Sequence, residues 1–217
     1  MTKFIEDQDT ISRESATDFY NWLGARHDWA EIYESKAKHQ GLGLLNLAPG
    51  MRVLNAGCGT GKDHLELVEG VFPGGEAIAL DLSWKMIHLT WTRTHAPCIQ
   101  AAVERFPFNN SSFDRIYSSY VLDLIPSHYM DTVLSEFNRM LRPGGIMVNV
   151  SLSRGHTLKS KIVIWAWMKL YNAAPIICGG CRPVSLYELA EEVGFSQVTW
   201  EVVEQFGVPS EIVVAIR

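Results

Sequence analysis

The sequence predicts an α/β protein whose core is a doubly wound, mostly parallel sheet of seven strands, the last of them antiparallel. Short apolar runs that stop at glycine or polar residues alternate with stretches of helical spacing, as in a parallel sheet with helices on both faces. The last two apolar runs, QVTWEVVE and EIVVAIR, are joined by too few residues for a crossover helix, so they should pair antiparallel. The 217 residues, 47% hydrophobic, suit one large domain with a buried core.

The first half of the chain predicts two strand–helix units. The run MRVLNAG, from Met51, predicts a buried strand, and a helix is expected over 62–71 because PGG follows it. The run AIALDL predicts the second strand. Ser83 then predicts the N-cap of a helix over 84–94.

The second half continues the alternation. The runs APCIQAAV, RIYSSYVL and IMVNVSLS predict three further strands, the first of them weak. A helix opening at Pro126 separates the second run from the third, and a Trp-rich helix is expected near 157–172. Ser185 and Glu188 have the spacing of a capping box for a short last helix.

Composition and charge exclude several classes of protein. The net charge is −5 and no run of Lys or Arg is present, which argues against a nucleic-acid partner. Four unevenly spaced cysteines and an acidic N-terminus predict a cytoplasmic protein without a disulfide scaffold. The pair Cys178 and Cys181 invites a redox or zinc interpretation, but no second pair of ligands has suitable spacing, so no metal is expected.

The segment VLNAGCGTGK contains the most informative motif. Its glycines let backbone N–H groups approach a ligand directly after a strand. A dinucleotide fingerprint would need glycine where Lys62 stands, and a phosphate-binding loop would need Ser or Thr where Asp63 stands. Asp81 comes twenty residues after Gly61, at the end of the second predicted strand, where a carboxylate can accept both hydroxyls of a ribose.

These residues resemble the class I S-adenosylmethionine-dependent methyltransferases, which have a Rossmann-like fold. The likeness is to the ubiquinone- and menaquinone-biosynthesis type (methyltransferase type 11) and to the phospholipid-headgroup type. It runs from Met51 to Ser153 through VLNAGCGTG, ALDLSWKMI, ERFPFNNSSFD and LRPGGIM, and continues more weakly through GGCRPV, EEVGF and GVPSEIVVAIR. It implies S-adenosyl-L-methionine as cofactor and S-adenosyl-L-homocysteine as product.

The resemblance also implies a set of cofactor-binding residues. The glycines would line the methionine and ribose, Asp81 would hold the ribose hydroxyls, Leu82 would pack on the adenine, and the Val103 backbone would reach the ring edge. The chain departs from the family at Asn55, where an acidic residue is usual, and at Ala102, where Asp is usual. The full set comprises Asn55, Gly57, Cys58, Gly59, Gly61, Asp81, Leu82, Ala102, Val103, Glu104, Ser118 and Ser119.

Candidate chemistry lies at the ends of the later strands and in the N-terminal aromatic stretch. The catalytic candidates are Tyr20, Tyr33, Asp123 and His156, and the substrate candidates are Tyr120, Trp165 and Arg182. Asp123 could accept a proton from the acceptor, but its place in a loop favours a solvated carboxylate. His156 could equally be a loop histidine, and Arg182 could equally be half of a structural ion pair. The tyrosines would face the sulfonium from a lid, or else simply cover the sheet.

The expected organisation is an N-terminal helical lid over 1–45 and a cofactor-binding domain over 46–217, with a substrate-side insertion over 155–184. The expected function is methyl transfer by direct displacement to a small, amphiphilic or lipid-like acceptor such as a phospholipid headgroup amine, a quinone precursor or an aromatic metabolite. Two alternatives stay open: a non-catalytic S-adenosylmethionine-binding module, and an oxidoreductase with a nucleotide cofactor. The composition of the insertion, rich in Trp and Lys, is also typical of a peripheral membrane contact.

Overall fold

The computed structural model describes residues 10–103 and 106–217, except for the side chains of residues 27 and 29–31. Its centre is a seven-stranded sheet in the order β3-β2-β1-β4-β5-β7-β6. The strand β7 is antiparallel to both of its neighbours, and the other pairs are parallel. The fold predicted from the sequence is therefore confirmed. The strands are β1 (Arg52–Ala56), β2 (Glu76–Asp81), β3 (Cys98–Gln100), β4 (Phe113–Ser119), β5 (Leu141–Leu152), β6 (Gln197–Gln205) and β7 (Val208–Ile216).

Helices cover both faces of this sheet. They are α1 (Arg13–Leu23), α2 (Glu31–Leu44), α3 (Lys62–Val71), α4 (Trp84–Thr94), α5 (Met130–Met140), α6 (Leu158–Ala173) and α7 (Tyr187–Glu192), with 3-10 turns at Gly24–Ala30, Leu122–Leu124, Ser127–Tyr129 and Pro175–Cys178. One face carries α5, whose Val133 and Phe137 are fully buried. The other carries α2 and α3, through Leu42 and Leu67.

The structure confirms one local prediction, the cap of α4, and differs from others. The Ser83 side chain caps α4 as predicted, accepting a hydrogen bond from Met86 N at 3.2 Å. The capping box expected at Ser185 does not form, because Ser185 Oγ donates to Glu211 Oε2 (3.0 Å) and Leu186 takes the cap position without a side-chain bond. The weak third strand is only three residues long. β5 begins five residues before the predicted run, with a register shift against β4.

The N-terminal region divides at α2. Ala37 and Leu42 of this helix, and Leu45 directly after it, are buried in the core, so α2 belongs to the layer that covers the sheet. In contrast, α1 has no buried residue. Within the described residues, only the segment before α2 therefore stays available for the lid expected over 1–45. Among the described helices, none has the length and apolar character needed to span a bilayer.

Candidate functional site

A cavity of about 850 Å³ lies at the carboxyl ends of β1, β2 and β4. Here the strand order reverses, because β2 and β4 leave β1 on opposite sides, and such a switch point is where open α/β sheets bind ligands. The volume falls in the range usual for cofactor and small-molecule pockets. The segment from Thr10 to Tyr20 forms one wall of the cavity. Thr10 Oγ1 can donate to Leu124 O (3.1 Å) or to Gly180 O (3.2 Å).

The glycine loop between β1 and α3 needs its glycines for two different reasons. Gly57 (φ 83°) and Gly59 (φ 52°) line the cavity with left-handed backbone conformations. A Cβ on Gly59 would meet no atom within 4 Å, so the bare backbone leaves that volume to a ligand. Gly61 (φ 84°) does not line the cavity. Its missing Cβ instead lets α4 pack closely, since a Cβ there would lie 2.7 Å from Thr90 Cα.

The amides of this loop are already used within the protein. The N–H groups of Gly57 and Cys58 both donate to Leu80 O, at 2.7 and 3.0 Å, and Gly59 N donates to Asp81 Oδ2 at 3.0 Å. A pyrophosphate is held mainly by free amides at such a loop. The geometry therefore favours a cofactor without phosphates over a dinucleotide.

Asp81 ends β2 and faces the cavity. Its carboxylate accepts hydrogen bonds from Gly59 N (3.0 Å) and from Ser83 N (2.9 Å). Burial raises the pKa of Asp81 to about 6, and these backbone hydrogen bonds act in the opposite direction. A carboxylate has about four lone-pair positions, so Asp81 can still accept the hydroxyls of a ribose.

An apolar wall continues from Asp81 along the β2 side of the cavity. Leu82, Ala102 and Val103, all expected from the sequence, line it. Met86, on the first turn of α4, lines it as well and was missed. Glu104 lies outside the described residues.

Two charged cavity residues were also missed by the sequence analysis. Glu34 and Lys38 lie one turn apart on α2, with Glu34 Oε2 and Lys38 Nζ at 3.9 Å. Lys38 Nζ is also 3.4 Å from Asp63 Oδ2, which accepts a hydrogen bond from Ser119 Oγ at 3.0 Å. No local motif marks these residues, because the contact forms only when α2 packs on the sheet.

The side of the cavity beyond β4 is mostly apolar. Val121, Leu124, Ile125 and Tyr129 line it, together with the rings of Tyr20 and Tyr120. The Tyr120 backbone has φ 52°, which is rare for a bulky residue and is found preferentially at functional sites. Its hydroxyl lies 2.6 Å from Ser210 Oγ, and the Tyr20 hydroxyl donates to Gly179 O at 3.3 Å. Burial raises the pKa of both tyrosines, so their hydroxyls stay neutral.

Asp123 is fully buried behind this wall, so its interpretation as a solvated loop carboxylate is wrong. Its Oδ2 accepts hydrogen bonds from Leu152 N (3.0 Å) and Cys181 Sγ (3.1 Å). Its Oδ1 has no hydrogen-bond partner among the described residues. Burial raises the pKa of Asp123 to about 6. Because Asp123 does not line the cavity, this geometry supports a structural role, and proton transfer directly from a substrate remains a prediction.

Arg182 was expected to contact the substrate or to form half of a structural ion pair, and the structure places it outside the cavity lining. Its side chain is buried and donates to Ile125 O and Ser127 Oγ, both at 2.9 Å. Carbonyl and hydroxyl oxygens can accept hydrogen bonds from the five N–H donors of a guanidinium. Arg182 therefore fixes the 122–127 segment behind the cavity.

Three further candidates lie away from the cavity. His156 is exposed, with its ring 6.3 Å from that of Trp200. Trp165 is 64% exposed on α6. Tyr33 is half-buried, but it does not line the cavity. Each was chosen for its proximity in sequence to a strand end or to an aromatic cluster, which does not bring the side chain to the cavity, and their roles stay predictions.

The remaining cofactor candidates support the loop from behind. Cys58 Sγ accepts a hydrogen bond from Thr90 Oγ1 at 3.2 Å, and neither Cys58 nor Ser118 lines the cavity. Asn55 is buried in β1, and its Nδ2 has no hydrogen-bond partner among the described residues. The Asn55 amide therefore leaves an N–H donor without a described partner at the end of β1, just before the glycine loop.

Comparisons with known proteins agree with this geometry. Residues 53–145 match the family model of a methyltransferase domain. The malonyl-[acyl-carrier protein] O-methyltransferase of Erwinia pyrifoliae is 34% identical over 127 residues, 58% of this chain and 45% of that protein. The demethylmenaquinone methyltransferase of Staphylococcus carnosus is 29% identical over 139 residues, 58% of this chain and 57% of that protein. This chain thus spans about half the length of these curated relatives.

Solved structures extend the likeness to the whole fold. A methyltransferase of Thermotoga maritima, described as S-adenosylmethionine-dependent and a possible histamine N-methyltransferase, superposes with a TM-score of 0.70 at 16% identity. The match covers 92% of this chain and 98% of that one, and at this identity it shows the fold alone. Together, the matched domain, the curated relatives and the shared fold make this chain similar to class I S-adenosylmethionine-dependent methyltransferases.

Proposed function

We propose that this protein transfers a methyl group from S-adenosylmethionine to a small, amphiphilic acceptor. The observation that carries the proposal is that the glycine loop lies between two parts of one cavity, which differ in their lining. On the β2 side lies Asp81, and beyond β4 the wall is apolar, with Val121, Leu124 and Ile125. A polar cofactor and an apolar acceptor would meet at the end of β1.

The residues of the cavity fit the cofactor part by part. Asp81 would accept the ribose hydroxyls, and Leu82 and Met86 would contact the adenine. The space left open by Gly59 would admit the chain that joins ribose to sulfonium. Lys38 and Glu34 offer opposite charges to the carboxylate and ammonium of the amino-acid end.

The bound cofactor supplies an electrophilic methyl group on a sulfonium. The protein therefore has to align the acceptor with this methyl group and to exclude water. Tyr20 and Tyr120 reach the cavity from different elements, α1 and the end of β4, with their hydroxyls held at Gly179 and Ser210. They would fix the acceptor without taking its proton. Asp123 and Arg182 would hold the wall against which the acceptor lies.

We infer that α1 and the turn that follows it act as the lid of this site. Asn21 Oδ1 accepts a hydrogen bond from Ser83 Oγ at 2.6 Å, and Asp28 accepts one from Thr60 at the glycine loop. These polar contacts join a helix without buried residues to the cofactor side of the cavity. Such a helix can open at low free-energy cost.

A quinone precursor is the acceptor class that we favour. The apolar wall suits a ring with a hydrocarbon tail, and the name of the Staphylococcus carnosus relative points to the same class. A phospholipid headgroup amine and a smaller aromatic metabolite are the competing classes. The insertion over 155–184, whose Pro175 lines the cavity, would contribute to acceptor binding.

The test is to incubate the protein with methyl-labelled S-adenosylmethionine and one acceptor at a time. A short-chain demethylated naphthoquinol is compared with phosphatidylethanolamine vesicles and with buffer alone, and the Asp81→Asn variant serves as the control for site-dependent turnover. Label in the naphthoquinol supports the proposal, and label in the phospholipid moves the acceptor to the headgroup class. Absence of transfer to either acceptor and to a small-molecule extract, with cofactor binding intact, would favour a non-catalytic binding module.

A further inference from the structure

The outer face of α6 is apolar and uncovered in this structure. Leu158, Ile162 and Trp165 recur at i, i+4 and i+7 and are 78%, 58% and 64% exposed. The opposite side of the helix holds buried Ser160 and Tyr171, and Trp167, whose Nε1 donates to Cys181 O at 2.9 Å. A helix that is apolar all round is normally buried all round. An exposed apolar face of this kind marks an interaction surface.

Basic residues surround this face. Lys159, Lys161 and Lys169 lie on α6, and Lys169 Nζ is 5.8 Å from the ring centroid of Trp165. Residues 154–184 contain no Asp or Glu and five basic residues, of which only Arg182 is buried, although the whole chain has a net charge of −5. Glu204 of β6 approaches the start of the helix, where Thr157 Oγ1 donates to it. Positive charge is therefore concentrated where apolar surface is exposed.

The same segment reaches the cavity. Pro175 follows α6 and lines the cavity, while the next two residues, Ile176 and Ile177, are 39% and 63% exposed. A molecule that enters from this side would meet apolar surface before it meets the cavity. The arrangement connects an exposed apolar and basic surface to the site without an intervening acidic residue in the 154–184 segment.

We propose that the outer face of α6 docks on the surface of an anionic lipid bilayer. Leu158, Ile162 and Trp165 would enter the interface between headgroups and acyl chains, where an indole is well suited. The lysines would extend their ammonium groups to the lipid phosphates. Charge complementarity favours a bilayer over a second copy of this chain. The second copy has a net negative charge, but a symmetric contact would place its basic face against the same basic face of the first copy. Docking does not require methyl transfer, so it is tested without turnover.

The experiment measures cosedimentation of the full chain with vesicles of phosphatidylcholine mixed with phosphatidylglycerol, and with vesicles of phosphatidylcholine alone. We expect binding to the anionic vesicles that weakens with salt. Trp165→Glu should lower the partition coefficient at least about tenfold. The double variant Lys161→Gln and Lys169→Gln should lower it by about 25-fold, since each basic residue near an anionic surface contributes about fivefold.

Trp91→Glu is the matched control. Trp91 is 51% exposed but lies on α4, and it should leave vesicle binding unchanged. Equal binding to neutral vesicles, an equal loss with Trp91→Glu, or no binding by the unmodified chain would overturn the proposal. So would a dimer, seen by analytical ultracentrifugation, that Trp165→Glu dissociates while lipid binding is absent. Cofactor affinity of Trp165→Glu, measured by calorimetry, separates loss of docking from loss of the site.

Discussion

Asp81 organises the glycine loop before any ligand arrives. Its two oxygens accept hydrogen bonds from the amides of Gly59 and Ser83, which fixes the loop against the end of β2. The same oxygens face the cavity. In the proposed function this one side chain would therefore couple loop geometry to ribose recognition, and its replacement should affect both.

Asp81→Asn should raise the Kd for S-adenosylmethionine by about tenfold to a hundredfold. The amide keeps one acceptor, and its NH2 group must face a backbone N–H that is itself a donor, so one hydrogen bond is lost and another group is left unsatisfied. Isothermal titration calorimetry measures the change. Asp114→Asn is the matched control, since Asp114 Oδ2 also accepts from a backbone amide, Arg52 N at 2.8 Å, but does not line the cavity. An unchanged Kd in Asp81→Asn would refute the ribose assignment.

Asp123 makes the folding free energy depend on pH. Its pKa is about 6 in the folded protein and near 3.9 in an unfolded chain, so the folded state binds more protons between these values. Stability from this group is therefore greatest at low pH and falls as pH rises through 6. Asp123→Asn should remove that loss, on the order of 2 to 3 kcal/mol between pH 4 and pH 7.

Urea unfolding of both proteins at several pH values checks this prediction. His64, whose pKa burial lowers to about 4, contributes with the opposite sign, but it is present in both proteins and cancels in the difference. A parallel pH dependence in the two proteins would mean that Asp123 titrates normally. A uniform loss at all pH values would mean that the carboxylate is needed for the bond to Leu152.

Side chains that act through local backbone geometry were predictable from the sequence, and those that act through packing were not. Gly57, Gly59 and Asp81 sit at fixed offsets from two strand ends, so their spacing alone places them at the cavity. Lys38 reaches it only because α2 packs against the sheet. The contacts of Arg182 were not predictable, because nothing in the sequence tells whether a guanidinium will meet a ligand or the carbonyls of a neighbouring turn.

Among the elements, α2 has two functions that the sequence does not separate. Its buried residues complete the core, while Glu34 and Lys38, one turn apart, present charges to the cavity. The packing that buries Leu45 also fixes the height of Lys38 above the sheet. A charged pair on a rigid core helix is better positioned than one on a loop.

Lys38→Met should weaken cofactor binding about tenfold, because the carboxylate of the amino-acid end would lose a charged partner in a partly buried site. Lys36→Met is the control, since Lys36 is exposed on the same helix and does not line the cavity. S-adenosylhomocysteine titration reports the effect without turnover. If both variants bind equally well, Lys38 serves only its ion pairs with Asp63 and Glu34.

The segment around α1 should close on the bound cofactor. S-adenosylhomocysteine at about a hundred times its Kd should slow trypsin cleavage at Arg13 and Arg26 by up to about a hundredfold, if the open lid does not bind it. Both arginines are exposed and flank the helix. Mass spectrometry of the early fragments identifies the cut sites. Cleavage at exposed Arg154 should be unaffected, and an equal slowing there would indicate global stabilisation without lid closure.

At the scale of the whole molecule, topology places the site. Strand order reverses between β2-β1 and β4-β5, so the loops after β1 and β4 separate and leave the cavity between them. The strand–helix alternation predicted this, together with the antiparallel β7, because the rules of connection leave few other arrangements. Alternation does not predict which helix covers which loop. For that reason the lid expected over 1–45 included α2, which packs in the core.

Because the cofactor would contact β1, β2, β4, α1 and α2 together, its binding should stabilise the whole fold. Ligand at about a hundred times its Kd adds about 2.7 kcal/mol to the free energy of unfolding. For a domain of this size that raises Tm by about 5–10 °C. Differential scanning fluorimetry with S-adenosylhomocysteine measures this shift. NAD at the same concentration should give none, because the amides of Gly57, Cys58 and Gly59 are already donated within the protein. A shift with NAD instead would revive the oxidoreductase alternative, and it would require the glycine loop to release those bonds.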